Sequence, residues 1–232
     1  MFNTIFYEPL YNALVFLAGV IPGHDIGVAI ILLTIIVKLI LLPSYHKMLV
    51  TQKKIKQVEP EIKLINEKHK DNPQEKAKLT MEVYRRENIN PFSQFIILFV
   101  QIPIVLALFW VFRSGFNFDP KLLYSFVHIP SFVSPLFLGI IDITSKSFPL
   151  AIVVGLTQFL QSYYALPQSG PRKEDASFAE DFGRSLNMQM KYVMPVIIVL
   201  ISSNLPVALS LYWITGNIFS IGQELFVRRR IA

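Results

Sequence analysis

The sequence predicts an all-α, polytopic membrane protein with five transmembrane helices, an N-terminal interfacial helix and a cytoplasmic helical hairpin. Three observations predict this class. Hydrophobic residues make up 53% of the 232 residues and the mean hydropathy is +0.47, more than a soluble domain of this size buries. Several apolar runs approach the length that crosses a bilayer. The Lys and Arg residues are concentrated in a few polar segments between those runs.

Residues 1–26 are predicted to form a helix that lies at the outer membrane interface. The run is apolar but interrupted by Glu8-Pro9, and what remains is short for a span. No Lys or Arg precedes Lys38, so the basic start of a secretory signal peptide is missing. A cleaved signal and an additional span remain as alternatives.

Residues 27–43 are the first predicted span, and Lys38 is its only charged residue. A helix of this length is about 25 Å long, close to the hydrocarbon thickness of a bilayer. A lysine near the centre of a span costs about 2.5 to 3.5 kcal/mol, and such charges usually face a bundle interior or a wet cavity. The alternative is that Lys38 extends its stem to the headgroups. Thr34, one turn earlier on the same face, continues the polar stripe inward and favours a cavity.

Residues 44–90 form a polar insertion with eleven basic and seven acidic residues, and we predict a cytoplasmic hairpin of two antiparallel helices. Asn72, Pro73 and Glu75 supply an N-cap, a proline at the first helical position and a glutamate at the third, so the second helix begins there. Pro60 is a candidate kink in the first helix. The alternative is a solvated charged linker. Apolar seams at steps of three and four are assigned to both helices: Ile55, Val58, Ile62, Ile65 and His69 in the first, and Ala77, Met81 and Tyr84 in the second.

The rest of the chain alternates apolar and polar segments. Residues 122–142 are apolar enough to resemble a span, but His128, Pro130 and Pro135 argue against a regular helix there. A tight turn at 204–206 separates the last two spans. The predicted segments are span 2 (91–112), an outer loop (113–148), span 3 (149–167), a cytoplasmic linker (168–189), span 4 (190–204), span 5 (206–227) and a cytoplasmic tail (228–232).

Basic residues predict the orientation of the spans. With five spans, the hairpin, the second linker with Lys191 and the tail carry eighteen Lys and Arg residues on one side, against three on the other, and Lys38 lies in the membrane. The hairpin and the C-terminus are therefore expected in the cytoplasm and the N-terminus outside. A sixth span at residues 122–142 would move either the hairpin or the tail to the outer side.

No constellation for catalysis is visible, so an enzyme is not expected. The predicted spans contain no nucleophile with a base, no carboxylate pair and no set of metal ligands. The chain has no cysteine and no Gly-rich phosphate loop, so no metal, nucleotide or other cofactor is predicted. The formal charge of +6 favours anionic lipid and acidic polypeptide as partners over direct nucleic-acid readout. The four histidines lie outside the spans without ligand spacing: His24, His46, His69 and His128.

Uncharged polar side chains recur within the predicted spans. Each alone is compatible with an interhelical hydrogen bond, worth about 0.6 to 2 kcal/mol in membranes. Together with Lys38 they predict a hydrated concavity that suits a polar or acidic segment of another chain. These residues are Thr34, Gln101, Gln158, Gln161, Ser210 and Asn217. The last span also carries a polar stripe along one face: Ser210, Trp213, Asn217, Ser220 and Glu224.

Four segments, in their order and spacing, resemble the YidC/Oxa/Alb family of membrane protein insertases in its short, five-span bacterial form. They are AIILLTIIVKLILLP, VEPEIKLINEKHKDNPQEKAKLTMEVYRRENINP, FVQIPIVLALFWVF and YVMPVIIVLISSNLPVALSLYWITGNIFSIGQ. The resemblance implies a groove that is open to the cytoplasm and to lipid, with Lys38 where the family usually has arginine. It also implies that Thr34 and Trp213 contact the substrate. Lysine keeps the charge but lacks the planar fork that binds a carboxylate twice.

The resulting hypothesis is a membrane protein insertase and chaperone in the bacterial cell membrane. Its groove takes the polar flank of a nascent membrane protein and releases the apolar segment into lipid. Nascent membrane proteins and lipid are the expected partners, with the ribosome and a Sec-type translocon as further candidates for the hairpin. The alternatives are a small channel or proton-coupled transporter with Lys38 as gate or relay, and a scaffold. The outer halves of the first two spans, 28–33 and 104–112, are wholly apolar, which favours a cavity that is blind on the outer side.

Overall fold

The structure is a computed structural model that describes residues 2–90, 93–113, 116, 118–165, 184–185 and 187–231, with side chains for all of these except 93–100 and 227–231. The chain divides into two compact units. The first unit comprises Met1–Ile40, Gln101–Gln168 and Asn187–Ala232, and the second comprises Leu41–Val100 and Ser169–Leu186. All eight predicted groove residues belong to the first unit, so the candidate site is built within it.

The first unit begins with two helical segments: a π-helical turn, Asn3–Tyr7, and helix α1, Glu8–Val20. Pro9 does not break this run, because the turn before it is π-helical and continues directly into α1, with Glu8 N donating to Asn3 O. Asn12 connects α1 to residues 122–124, in the segment predicted as the outer loop. Its Nδ2 donates to Leu122 O at 2.9 Å and its Oδ1 accepts from Tyr124 N at 2.7 Å.

Helix α2 runs without interruption through Ile26–Lys68, after a 3-10 turn at Pro22–His24. Pro43, the predicted boundary of the first span, is therefore not a helix end, and the helix also continues through Pro60. Each proline removes one N–H from the helical ladder, at about 3 kcal/mol, and the bonds on both sides preserve the helix. Asp25 stabilises the start of α2, because its Oδ1 accepts from Val28 N at 3.1 Å.

In the second unit, the C-terminal part of α2 packs against helix α3, Pro73–Arg86. The start of α3 is confirmed as predicted, because Asn72 Oδ1 accepts from Glu75 N at 3.1 Å and proline occupies the first position. The seam of the first helix is also confirmed. Val58 is buried, and three of the predicted seam residues pack around the same cluster: Ile55, Ile62 and Ile65.

The seam predicted for α3 is wrong in register. Ala77 and Met81 are exposed, whereas Val83 and Ile89 are buried in the cluster with Val58. Tyr84 packs against this cluster, as predicted. The 14 residues of α3 include few apolar ones, so more than one stripe fits the sequence. The chain after α3 determines which stripe is buried. Ile89 N donates to Tyr84 O at 2.8 Å, and this turn brings the Ile89 side chain back onto the cluster.

Helix α4, Ser93–Arg113, continues through Pro103. The described part of the segment 113–148, predicted as the outer loop, has no long helix, as predicted. It contains a 3-10 turn at Pro120–Leu122 and a pair of antiparallel strands. The strands are β1, Leu136–Phe137, and β2, Ile141–Asp142. This pair of two-residue strands is a small addition to a mostly helical chain, which is consistent with the all-α prediction. It forms because the two prolines before it prevent a helix and a tight turn folds the extended chain back on itself.

Three further helical segments complete the first unit: α5, Phe148–Ala165; α6, Met194–Ser202, preceded by a π-helical turn at Gln189–Val193; and α7, Val207–Ile231. Helix α5 packs against both α6 and α7. The predicted linker 168–189 lies outside the described residues except for a few of its last positions. The side chains of the predicted tail 228–232 also lie outside them.

The helices of the first unit expose large apolar side chains and bury several polar ones. A soluble protein shows few exposed residues of this kind, whereas lipid favours them. Within the part of the chain that the structure describes, α2 is the one helix that is long and apolar enough to cross a membrane, with a mean hydropathy of 2.8 in its most apolar stretch. Exposed examples are Leu39, Ile40, Leu156, Val196, Leu200 and Ile218, and buried polar examples are Thr34, Ser162, Ser202, Ser210 and Ser220.

Candidate functional site

Helix α7 is hydrogen-bonded to four other helices of the first unit through four different side chains. The pairs are Ser210 with Ser202 on α6 (2.9 Å between Oγ atoms), Asn217 with Thr157 on α5 (3.2 Å, Nδ2 to Oγ1), Tyr212 with Gln101 on α4, and Ser220 with Lys38 on α2 (3.2 Å, Oγ to Nζ). Three of the α7 residues, Ser210, Asn217 and Ser220, belong to the predicted polar stripe. That stripe therefore faces the neighbouring helices.

Lys38 is half-buried against α7. A Cβ on Gly216 would lie 3.3 Å from Lys38 Cε and 3.9 Å from Lys38 Nζ, so the end of the lysine lies directly on the α7 backbone. Lys38 Nζ donates to Ser220 Oγ, and no carboxylate of a described residue lies within ion-pair distance of it. An ammonium has three donors, and a neutral hydroxyl does not compensate its charge. Lys38 therefore suits a further polar or anionic group.

Thr34 lies beside Lys38 and faces the same glycine of α7. It is 2% exposed, and a Cβ on Gly216 would lie 3.9 Å from Thr34 Cγ2. Its Oγ1 donates to Ile30 O of its own helix at 2.6 Å, so the hydroxyl proton is already used. Thr34 therefore supplies a methyl group and an acceptor at this position, not a free donor.

Five of the other six predicted groove residues are hydrogen-bonded to neighbouring helices or to one another. Gln101, Ser210 and Asn217 make the interhelical bonds described above. Gln158 and Gln161 lie together on α5, where Gln158 Nε2 donates to Gln161 Oε1 at 3.2 Å. Trp213 is half-buried on α7. The structure thus brings Lys38 and Thr34 together at Gly216, and it gives the polar groups of the other residues, Trp213 apart, a partner within the protein.

The sequence prediction of the groove missed Gly216 and Ser220, which lie next to Lys38, and Gln223 farther along the same helix. Gln223 lies one turn after Ser220, and its Nε2 is the one buried side-chain nitrogen or oxygen of the described residues without a hydrogen-bond partner. The signal that identifies Gly216 and Ser220 is their spacing. Two small residues four positions apart allow another helix to approach closely in a membrane.

The site offers an ammonium, hydroxyls and side-chain amides. No group of three or more His, Cys, Asp or Glu residues that could hold a metal ion occurs among the residues described. Such a set of side chains binds polar or negatively charged groups through hydrogen bonds and charge. The geometry therefore describes a polar binding site next to an apolar, exposed helix surface.

A mostly helical chain with apolar helix surfaces and a half-buried cation among polar side chains is typical of integral membrane proteins. The chain belongs to the family described as 60Kd inner membrane protein, whose model matches residues 16–232, so the resemblance drawn from the sequence is confirmed. It is 33% identical over 208 residues to the membrane protein insertase YidC of Clostridium tetani, covering 90% of this chain and 84% of the relative. It is 31% identical over 229 residues to that of Fusobacterium nucleatum, covering 97% of both. The YidC of Francisella tularensis subsp. novicida is 31% identical over 205 residues, but only 32% of that protein is covered.

Proposed function

We propose that this protein is a membrane protein insertase and chaperone whose groove is organised around Lys38. The observation that supports this most is the position of Lys38. Its side chain packs against α7 at Gly216, and its described partner there is the neutral hydroxyl of Ser220. The other face of its own helix, α2, is apolar and exposed. The relatives that cover most of their own length are named membrane protein insertases, which supports the same function. Nascent membrane proteins are then the substrates.

The proposed mechanism lowers the cost of moving a polar segment into the membrane. Each backbone or side-chain polar group that enters hydrocarbon without a partner costs several kcal/mol. Lys38 and the neighbouring hydroxyl and amide groups replace part of the lost hydration. The apolar segment of the same substrate meets lipid along the exposed helix faces. This exchange needs neither a nucleotide nor a covalent step.

The proposed topology places the N-terminus outside and the hairpin and C-terminus in the cytoplasm. The asymmetry of eighteen basic residues against three supports it. The hairpin is then positioned for contacts with a ribosome or a Sec-type translocon, and its surface is rich in charge. Glu61 and Arg86 are ion-paired across it, and Lys54 Nζ donates to Glu87 O at 3.0 Å. The proposed topology has five transmembrane spans.

The test compares Lys38→Arg and Lys38→Ala in an insertion assay with a single-span substrate whose translocated tail is either acidic or uncharged. Lys38→Arg should insert both substrates. Lys38→Ala should lose insertion selectively for the acidic tail, because the compensating charge is gone. Lys121→Ala, which removes an exposed lysine, is the matched control. A well-expressed Lys38→Ala variant with full activity on acidic tails would remove the centre of the proposal.

The channel alternative is tested with the same purified protein in liposomes. The outward parts of α2 and α4 are packed with buried apolar side chains, which supports a cavity that is closed on that side. We therefore expect insertion activity without ion flux above background. Saturable flux that Lys38→Ala abolishes, without an effect on insertion, would favour the channel. The buried residues concerned are Ala29, Ile30, Leu33, Ile104, Ala107, Leu108 and Val111.

A further inference from the structure

The outer loop exposes an apolar surface that the proposed groove does not use. Residues 122–141 contain no Asp, Glu, Lys or Arg. Ile140 is 82% exposed, Phe126 67% and Leu138 65%. Exposed apolar patches of this kind in a folded protein mark sites that contact another apolar phase or a partner. The large exposed residues of the loop, called here the outer apolar patch, are Tyr124, Phe126, Ile129, Phe132, Leu136, Leu138 and Ile140.

The turn between β1 and β2 holds a leucine in a conformation that leucine disfavours. Three residues, 138–140, connect the strands, and Ile140 N donates to Phe137 O at 3.0 Å. The two central residues of this β-turn, Leu138 (φ +51°) and Gly139 (φ +73°), are both left-handed. Such turns favour Asn-Gly, because a branched apolar side chain is strained at positive φ. Leucine at this position therefore indicates a use for its side chain outside the turn. The turn presents it outward, next to Ile140.

The strand pair is held by hydrogen bonds and side-chain packing against helices of the first unit. Asp25 Oδ2 accepts from Leu138 N at 2.7 Å, so the residue that caps α2 also holds the turn. A Cβ on Gly27 would lie 2.5 Å from the ring of Phe137, so that ring packs directly on the α2 backbone. On the other side, Ala208 N at the start of α7 donates to Ile143 O at 3.0 Å. The turn is thus held at the N-terminal ends of α2 and α7.

The position of the patch makes it continuous with the apolar helix surfaces. The loop leads directly into α5, whose first residue, Phe148, is 61% exposed, followed one turn later by exposed Ile152. Charged residues resume only at the border of the patch, with Asp142 and Lys146. Interfaces with soluble partners carry a polar rim and hydrogen bonds through the contact. An uncharged surface of aliphatic and aromatic residues that continues the exposed faces of membrane helices matches lipid instead.

We propose that the turn Leu138–Ile140 and its aromatic flank, Phe126 and Phe132, insert into the outer leaflet of the membrane. The bound partner is the lipid of that leaflet, at the boundary between headgroups and acyl chains. The inserted turn anchors the outer end of the first unit, because Asp25 and Phe137 connect it to α2. This inference rests on the proposed topology, in which the loop is outside.

The absence of cysteine from the chain allows a direct measurement. Ile140→Cys and the control Lys146→Cys are labelled with the polarity-sensitive fluorophore NBD, and the purified protein is placed in nanodiscs with one copy each. Position 140 should show blue-shifted emission, severalfold brighter than position 146, and stronger quenching by lipids brominated near the glycerol end of the acyl chain. Water-like emission at position 140, equal to that at position 146, would overturn the proposal.

A second variant separates lipid insertion from the fold of the loop. Leu138→Asn favours the left-handed turn, so it should keep or raise the thermal stability of the protein in detergent. If the turn is inserted in lipid, the same variant should lower NBD emission and quenching at position 140. Unchanged emission would overturn the proposal, because the leucine would then have no role in lipid.

Two further measurements distinguish the other outcomes. If the patch binds a second copy, the signal at position 140 should appear only in nanodiscs with two copies, and the lipid proposal fails. Labelling of Lys146→Cys by an impermeant reagent in intact cells tests the side of the membrane independently. Outside labelling without lipid quenching refutes this inference alone, whereas loss of insertion in Lys38→Ala concerns the groove alone.

Discussion

Gly216 and Lys38 occupy neighbouring space on two helices: a Cβ on the glycine would lie 3.3 Å from Cε of the lysine. This separation is tighter than most Cβ contacts, so a side chain at position 216 has to displace the end of Lys38. The glycine thus sets where the positive charge lies, although it contributes no polar group of its own.

The first prediction concerns this contact. Gly216→Ala should preserve folding, since alanine favours a helix by about 1 kcal/mol over glycine. It should move the Lys38 ammonium away from Ser220 and reduce insertion of acidic-tailed substrates, by less than Lys38→Ala does. Gly222→Ala, on the same helix and with no atom of a described residue within 4 Å of its added Cβ, is the matched control. Equal activity of both alanine variants would show that the position of the charge does not matter.

The second prediction concerns the bond between Gln101 and Tyr212. Tyr212 is 2% exposed, so removal of its partner leaves a buried hydroxyl. In a double-mutant cycle of Gln101→Leu and Tyr212→Phe, the unfolding free energies should show a coupling of about 0.6 to 2 kcal/mol, the range for hydrogen bonds between membrane helices. Gln101→Leu combined with Tyr192→Phe, an exposed tyrosine, should be additive. A cycle without coupling would contradict the bond.

The third prediction is a pH dependence of the hairpin. Arg86 donates to Glu61 and holds the pKa of that carboxyl below its ordinary value of 4.5. A lowered pKa in the folded state means that the stabilisation is fully present above the unfolded pKa and is lost as the pH falls through the folded pKa. Methyl NMR signals of Val83 and Ile89 should therefore report loosening of the hairpin below about pH 4.5. Glu61→Gln should remove this pH-dependent loosening. If the pH profile of the Glu61→Gln variant equals that of the unmodified protein, the prediction is refuted.

The fourth prediction is the topology. Single cysteines at Lys63 and Asp119 should behave oppositely toward an impermeant reagent added outside intact cells: Asp119→Cys should react and Lys63→Cys should be protected. Permeabilised cells provide the control, because both positions should then react. Outside labelling at position 63 would place the hairpin on the wrong side of the membrane for contact with a ribosome.

The sequence predicted the helices through patterns that act locally. The start of α3 follows from Asn72, Pro73 and Glu75, because an N-cap uses only atoms within one turn. The register of the same helix was wrong, because Val83 and not Met81 faces α2. The buried face of α3 is determined partly by Ile89, which follows the helix in the chain and packs in the same cluster. The periodicity of apolar residues within the helix carries no information about that contact.

The candidate site was predicted in part for the same reason. Lys38 and Thr34 stand out in the apolar run of α2, and both pack against α7 at Gly216 in the structure. Gly216 was missed, because its role depends on the close approach of a helix that is distant in the chain. The polarity of Gln101 and Asn217 suggested a groove, but their bonds to Tyr212 and Thr157 show that each also connects two helices.

The contacts of α7 have a consequence for biogenesis. Four helices, α2, α4, α5 and α6, are bonded to α7, and all four precede it in the chain. During synthesis these four helices emerge before Gly216, Ser220 and Gln223 have been translated. In the proposed topology, Lys38 of a growing chain therefore enters the membrane before its partner Ser220 exists. Gln101, Thr157 and Ser202 likewise lack their partners on α7 until synthesis is complete. We expect each new copy to depend on an insertion machine that is already complete, such as an older copy of itself.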